Sequence, residues 1–471
     1  MFACDIERGS MRAKFSRQIS LSKTLFFLCF FISASLVISP ILYAQTIAAK
    51  EVLTLKKAIE ISLQNQPAII VQASQVQAGE AKIGQSKSGY FPQINISTGY
   101  TRISPVKPDT SANTSQAGMP PGTSIPSGIA GRGNEAFDQY AASAYMNQLL
   151  FDFGKTGAQV NVQKLNTEAA RFALENTKDQ VIFNVKQAYY SLLGAEHALG
   201  VAIESVDNFR NHLAIAINYY RAGMKPKFDV TKAEVDLSNA ELNLIKAENF
   251  VSASRINLNN AMGLFQIDVP SYTIEDDVSF ASFELTKKEA IDIVYEKRSD
   301  LRALQKQKES AMESVKLYQR GYFPTLSGVA SYTYVGPEFP LDSGWYAGAY
   351  LVYPLFSGFL TKNQVAEAKA NLEALNANER GLKLTILLDL EQAFNALKEA
   401  AESRRKTELS VRLARENREL AAERYRSGTG TPAELSDAMV GYANARLANI
   451  AGLYDYKIAQ ARIERAIGKR D

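Results

Sequence analysis

Tyr220-Arg221-Ala222-Gly223-Met224-Lys225-Pro226 holds the lone proline between Lys155 and Met262, and Tyr425-Arg426-Ser427-Gly428-Thr429-Gly430-Thr431-Pro432 holds the lone proline between Ser357 and Asp471. A long proline-free stretch that ends at a glycine and then a proline reads as a helix stop and restart. Glycine takes the left-handed cap conformation, and proline suits the first helical turn. The spacing therefore predicts helices over 155–221 and 357–425, each followed after a short turn by a second helix, over 227–262 and 432–467. The two long helices hold 67 and 69 residues, which is about 100 Å each if continuous. Apolar residues recur along the first at steps of three and four: Val162, Leu165, Ala169, Phe172, then Val181, Val185, Ala188, Leu192, Ala195, Leu199, Ile203 and Val206. That seam implies lateral packing as a coiled coil, at lengths outside ordinary globular domains. Pro67–Ser88 and Lys227–Met262 are shorter; placed end to end they would span about 87 Å and nearly match one long helix.

The two turns belong to a wider self-similarity. Gly89-Tyr90-Phe91-Pro92 recurs as Gly321-Tyr322-Phe323-Pro324 at an offset of 232, whereas Leu150-Phe151 and Leu355-Phe356, the two Tyr-Arg-x-Gly turns, and Ala261-Met262-Gly263 and Ala466-Ile467-Gly468 all share an offset of 205. The chain is thus expected to carry two structural repeats, 45–263 and 286–468, joined by a connecting segment at 264–285 and followed by a tail at 469–471. The drop in offset marks a 27-residue insertion in the first repeat; residues 104–138, with five Pro and five Gly, fit it as a loop.

Between the helices the period changes from 3.6 to 2. Ile94, Ile96, Thr98, Tyr100 and Arg102 alternate with Gln93, Asn95, Ser97, Gly99 and Thr101. Four strands are expected, at 91–103, 140–152, 323–335 and 344–356, with aromatic residues at their ends such as Tyr90, Phe91, Phe151, Phe153, Tyr322, Phe323, Tyr353 and Phe356. Strands of this length cross a bilayer at a tilt, and aromatic girdles mark its two interfaces. The bland alternative is a sheet packed on helices in a soluble α+β protein.

Residues 1–44 read as a signal peptide. Arg12, Lys14, Arg17 and Lys23 precede the apolar block Leu25–Ile32, with small residues, Pro40 and Ala44 beyond it; an uncleaved membrane anchor is the rival reading, and Met11 is a second candidate start. The net charge of +4 is mostly leader charge, since the remainder holds 48 basic against 47 acidic residues. A near-neutral body gives no electrostatic footprint for nucleic acid. Both cysteines, Cys4 and Cys29, lie in the leader, so no disulfide is expected beyond it. His197 and His212 stand fifteen apart, whereas a helical metal pair needs three or four, so both read as packed or solvated histidines. Neither a nucleophile–base pair nor a phosphate loop is recognisable, so no enzyme, cofactor or metal is expected.

A membrane sheet cannot leave an edge unpaired. Four strands per chain cannot close a barrel, whereas two chains give about eight strands with a filled interior and three give about twelve with room for a channel. The expected fold is an α+β membrane protein, in which a long α-helical coiled-coil barrel joins a transmembrane β-barrel built from four strands per chain in a homotrimer.

The order and duplication of these motifs resemble the TolC family of outer-membrane efflux channels. The carrying residues are the two Gly-Tyr-Phe-Pro motifs, Leu150-Phe151-Asp152-Phe153-Gly154, Leu355-Phe356-Ser357-Gly358-Phe359, the two Tyr-Arg-x-Gly turns, and Asn65-Gln66-Pro67-Ala68-Ile69. The resemblance implies a homotrimeric exit duct in the outer membrane of a Gram-negative bacterium, extending into the periplasm. It would serve a tripartite drug-efflux pump or a type I secretion system. Its partners would be outer-membrane lipid, a periplasmic adaptor (membrane fusion) protein and an inner-membrane pump of RND, ABC or MFS type. It would place the periplasmic tips at the two turns, with Gly223, Met224, Lys225, Gly428, Thr429 and Gly430 meeting the adaptor. It matches Glu434 and Asp437 to two acidic positions of a pore constriction, and Asp229 and Tyr425 to a tie that holds the tip shut. The family's gating arginine would fall at Gly430. Asp229 and Glu434 also sit in the first turn after a proline, where a carboxylate commonly caps free N–H groups. A soluble periplasmic coiled-coil adaptor remains the alternative function, although such a protein would lack four amphipathic strands.

Overall fold

A computed structural model describes residues 52–103, 136–264, 272–276 and 286–468. The expected leader at 1–44, most of the 104–138 loop and of the 264–285 connection, and the 469–471 tail lie outside the described residues.

In chain order the elements are β1 (Val52–Leu53), α1 (Leu55–Asn65), α2 (Pro67–Lys87), β2 (Gln93–Ile103), β3 (Phe137–Phe151), α3 (Lys155–Arg221), α4 (Lys227–Ala261), β4 (Thr273–Ile274), α5 (Lys287–Lys297), α6 (Ser299–Gln319), β5 (Thr325–Gly336), β6 (Asp342–Val352), α7 (Leu360–Arg426) and α8 (Pro432–Ala466). Single 3₁₀ turns at Ser88–Tyr90 and Arg320–Tyr322 precede β2 and β5. Both α3 and α7 are unbroken over 67 residues, and α4 and α8 over 35.

The breaks between helices have local causes. Gln66 is extended (φ −68°, ψ 118°), as the residue before a proline must be, and this separates α1 from α2. Arg298 takes the same conformation (φ −67°, ψ 119°) between α5 and α6 without a proline, held by bidentate donation to Asp300 and a further bond of 2.9 Å to Asp389 on α7. At α5 a complete capping box forms: Thr286 accepts from the Glu289 N–H, and the Glu289 carboxylate accepts from Thr286. These bonds hold the Glu289 carboxyl below the usual carboxylate range, the hydroxyl contributing most.

The short helices meet end to end along the long ones. The Gln66 side-chain amide donates to the Asn260 and Ala261 carbonyls at 3.2 and 3.1 Å, capping the last turn of α4 where α2 begins. Gly263 (φ 73°) passes so close that a Cβ there would lie 2.8 Å from the Asn65 carbonyl group. Gly468 (φ 71°) makes the same approach to Lys297 and Arg298, somewhat less tightly at 3.4 Å. Apolar clusters sit beneath these joints. One gathers Leu53, Ile61, Val185, Leu192, Leu258, Met262 and Ile274, and the other Val294, Leu301, Ile386, Leu390 and Ile463. Along α3 the heptad seam is buried at Val181, Val185, Leu192, Ala195 and Val206, but Ile203 is exposed and Val201 is buried in its place. Two residues is about 200° around a helix, so Val201 lies on another face; it is buried there because α3 packs against α2, α4, α6 and α8 and not along a single stripe.

The four longer strands form one antiparallel sheet in the order β2-β3-β5-β6. Their limits differ from the period-two reading where local chemistry intervenes. The 3₁₀ turns delay β2 to Gln93 and β5 to Thr325 rather than 91 and 323. Pairing of Phe137–Gln139 with Thr101–Ile103 extends β3 three residues earlier than 140. β6 starts at Asp342, paired with Val335, and stops at Val352 instead of 356, just before Pro354, which has no N–H to donate. α7 begins at Leu360, not 357, because Gly358 and Phe359 are left-handed (φ 62° and 64°). Phe153 and Gly154 (φ 53° and 81°) form the equivalent elbow before α3. There the Asp152 carboxylate accepts from the Gly154 and Thr156 N–H groups at 2.9 and 2.6 Å, and Arg320 donates to the Gly154 carbonyl. Within the sheet the outer strands β2 and β6 carry exposed apolar side chains, among them Ile96 (82% exposed) and Trp345 (76%). Among the described residues no helix is long and apolar enough to cross a membrane.

Candidate functional site at the helix turns

Both turns begin with the same cap. After α3, the Gly223 N–H donates to the Tyr220 carbonyl and the Met224 N–H to the Tyr219 carbonyl, both at 2.9 Å. After α7, Gly428 donates to Tyr425 at 3.2 Å and Thr429 to Arg424 at 3.0 Å. This is the Schellman pattern, and it requires the positive φ of Gly223 (72°) and Gly428 (78°). Met224 is exposed, and the Lys225 ammonium lies 5.4 Å from the Tyr425 ring centre.

The second turn continues differently. The Gly430 N–H donates to the Arg424 carbonyl at 2.8 Å, and a Cβ at Gly430 would come within 3.0 Å of Arg424 and Tyr425 backbone atoms. The backbone thus crowds a side chain at the position where the family resemblance expects an arginine. A different cation occupies the region: Arg424 reaches Glu434 at 3.5 Å and the Thr429 carbonyl at 3.4 Å. Glu434 and Asp437 are both exposed and share one face of α8. The cap of α8 is the Thr431 hydroxyl, which accepts from the Glu434 N–H at 3.2 Å. The Glu434 carboxylate is therefore left for other work.

Asp229 and Tyr425 are buried, at 4% and 2% exposure. Asp229 Oδ2 and the Tyr425 hydroxyl each have no hydrogen-bond partner, so the two do not bond each other, although the Asp229 charge acts on Tyr425. Burial raises the Tyr425 pKa most, and the Asp229 charge adds to it. A third polar group joins them. His212 on α3 is 3% exposed, its ring lies edge-on to Tyr425 at 5.2 Å, and neither ring nitrogen has a partner. Desolvation pushes its pKa below the ordinary value, and Lys232 acts in the same direction, against the opposing pull of Asp236 and Asp229.

Beside this pocket a satisfied network links the two halves of the chain. Lys232 Nζ contacts Asp236 Oδ1 at 2.5 Å, and the Ser436 hydroxyl donates to Asp236 Oδ2 at 2.6 Å. The expected residues Asp229 and Tyr425 are thus brought together and Glu434 and Asp437 are set apart from them on the surface. His212, Arg424, Lys232, Asp236 and Ser436 complete the region. Reading the sequence did not reveal those five: Lys232 and Asp236 stand four apart on α4, but the contacts of Asp236 with Ser436, of His212 with Tyr425 and of Arg424 with Glu434 cross between helices and leave no periodic mark. Among the described residues no group of three or more His, Cys, Asp or Glu is placed to hold a metal ion.

Long paired helices, a four-stranded exposed sheet and paired helix turns define an outer-membrane channel protein. The chain belongs to the outer membrane efflux protein family, whose model matches residues 58–264 and 290–469. It is 22% identical over 402 residues to protein CyaE of Bordetella pertussis (84% of this chain, 79% of that protein) and 19% identical over 421 residues to outer membrane protein TolC of Escherichia coli K12 (85% and 79%). Among solved structures it is similar to the CmeC outer membrane channel of Campylobacter jejuni, with a TM-score of 0.73 and 17% identity over 88% of this chain and 85% of that one.

Proposed function

We propose that three copies of this chain form a passive exit duct across the outer membrane and periplasm, gated at the helix turns. A tripartite efflux pump or a type I secretion system would use it, with a periplasmic adaptor and an inner-membrane pump as partners. The observation that carries this reading is the open sheet. Among the described residues β2 pairs only with β3 and β6 only with β5, so each chain presents two strand edges that a bilayer cannot leave unpaired. Three chains supply about twelve strands, enough for a lumen.

Two further observations support it. Phe228, Val235, Leu242 and Ile256 lie on α4 at multiples of seven residues and are all exposed, the seam of a coiled coil that lacks its partner in one chain. The paired lengths of α3 and α7, and of α4 and α8, support descent from a duplicated unit. At the turns, exposed Glu434 and Asp437 would become stacked acidic rings favouring cations, and Asp229 with Tyr425 the inner tie. Gly223, Met224, Lys225, Gly428, Thr429 and Gly430 would meet the adaptor. The test is direct: the full chain, purified in detergent, is cross-linked and reconstituted into planar bilayers. A trimer that conducts, with cation preference lost in Glu434→Gln/Asp437→Asn, is the expected result. A monodisperse monomer that stays in water without detergent overturns the proposal.

A further inference from the structure

We infer that His212 is a third buried member of the tip gate: neutral, it lets α3, α4 and α7 pack shut, and on taking a proton it releases that packing. This rests on reading the turns as the closed end of a duct. A buried histidine ordinarily bonds through at least one ring nitrogen; here both nitrogens are unpartnered, as are Asp229 Oδ2 and the Tyr425 hydroxyl. Three helices thus each contribute an unsatisfied polar group to one interior, where the His212 ring is held against Tyr425 by contact alone.

The groups facing His212 fix the sign of its response. From α4 come Asp229, Lys232 and Asp236; from α7, Tyr425; from its own helix, Tyr219, whose ring lies 6.1 Å from that of Tyr425. Lys225 sits on the Tyr425 ring, and Ser436 of α8 reaches the site only through Asp236. Asp236 is already engaged by Lys232 and Ser436. An imidazolium in this geometry would be a buried charge with neither N–H bonded, an arrangement that favours a shifted, hydrated state. Its packed-state pKa lies below the ordinary 6.5. The packing is therefore fully stable above that value. As pH falls through it toward the packed-state pKa, the equilibrium moves toward the released state by up to about tenfold per pH unit in each chain.

The test compares the wild-type chain with His212→Phe and His212→Gln in planar bilayers at about pH 7.5 and about pH 5.5, a range that brackets histidine titration. The wild type should open more at the lower pH, and both variants, which keep Asp229, Glu434 and Asp437, should lose that step. An unchanged step in both variants overturns the inference and assigns the acid response to those carboxylates. A second readout does not need conduction. Hydrogen exchange over residues 205–216 of the detergent-solubilised full chain, corrected for intrinsic rates, should lose protection at low pH in the wild type but not in His212→Phe. Equal protection at both pH values in the wild type overturns the role of His212 even if pores form. Absence of pores overturns the duct, while the exchange result still decides whether His212 responds to protons.

Discussion

The turn after α3 and the turn after α7 close with the same pair of backbone hydrogen bonds, yet the carboxylates at matching positions beyond them do opposite things. In the second turn Thr431 supplies a hydroxyl cap, so Glu434 is released to the surface and to Arg424. In the first, Pro226 stands at the cap position with no side chain to offer, and Asp229 turns inward beside Tyr425 and His212. The same offset thus carries an exposed carboxylate at a helix end capped by a hydroxyl, and a buried one at a helix end with no side-chain cap.

The comparison can be broken at several points. The largest effect is expected at Asp236→Ala. It removes the acceptor shared by Lys232 and Ser436 and leaves the buried Ser436 hydroxyl, which still accepts from Lys232, with no acceptor for its own proton, a cost of about 2 kcal/mol read as faster hydrogen exchange at the start of α8. Gly430→Arg follows. The close backbone approach at Gly430 makes it destabilising by about 1–2 kcal/mol, seen as a lower unfolding temperature, and it should not build a new closing tie. Gly223→Ala and Gly428→Ala sharpen the shared part of the two turns. Each site is open, so only the positive φ is penalised, by about 1 kcal/mol, and the two losses should agree. The smallest effect on stability is Glu434→Gln, within about 0.5 kcal/mol because its pair with Arg424 is half exposed on both sides; a larger loss in denaturant unfolding would mean the pair is buried on assembly.

The helices were legible because their ends are written in residues with special backbone needs. Pro226, Pro432, Gly223 and Gly428 mark limits that the structure places within one residue of expectation. Strand ends were less so. Period two continues past Val352 on paper, while Pro354 ends the hydrogen-bond ladder, and the left-handed pair Gly358–Phe359 shortens α7 at its start. Gly430 shows in sequence as the missing arginine, but not as a position where backbone contact crowds a side chain. His212 reads in the sequence only as a packed or solvated histidine, and it is packed. Its company in Asp229 and Tyr425 depends on three helices converging from positions far apart in the chain, which no local pattern encodes.

The unpaired outer edges of β2 and β6 carry a consequence for inheritance. If three copies close one sheet, as proposed, a subunit cannot work alone, and cells making both a normal and a tip-defective copy would build mostly mixed ducts. With random mixing of equal amounts, only about one assembly in eight would be wholly normal for a three-chain ring. A lesion at the helix turns should therefore behave as dominant, whereas one that prevents the sheet from forming should drop out of assembly and behave as recessive.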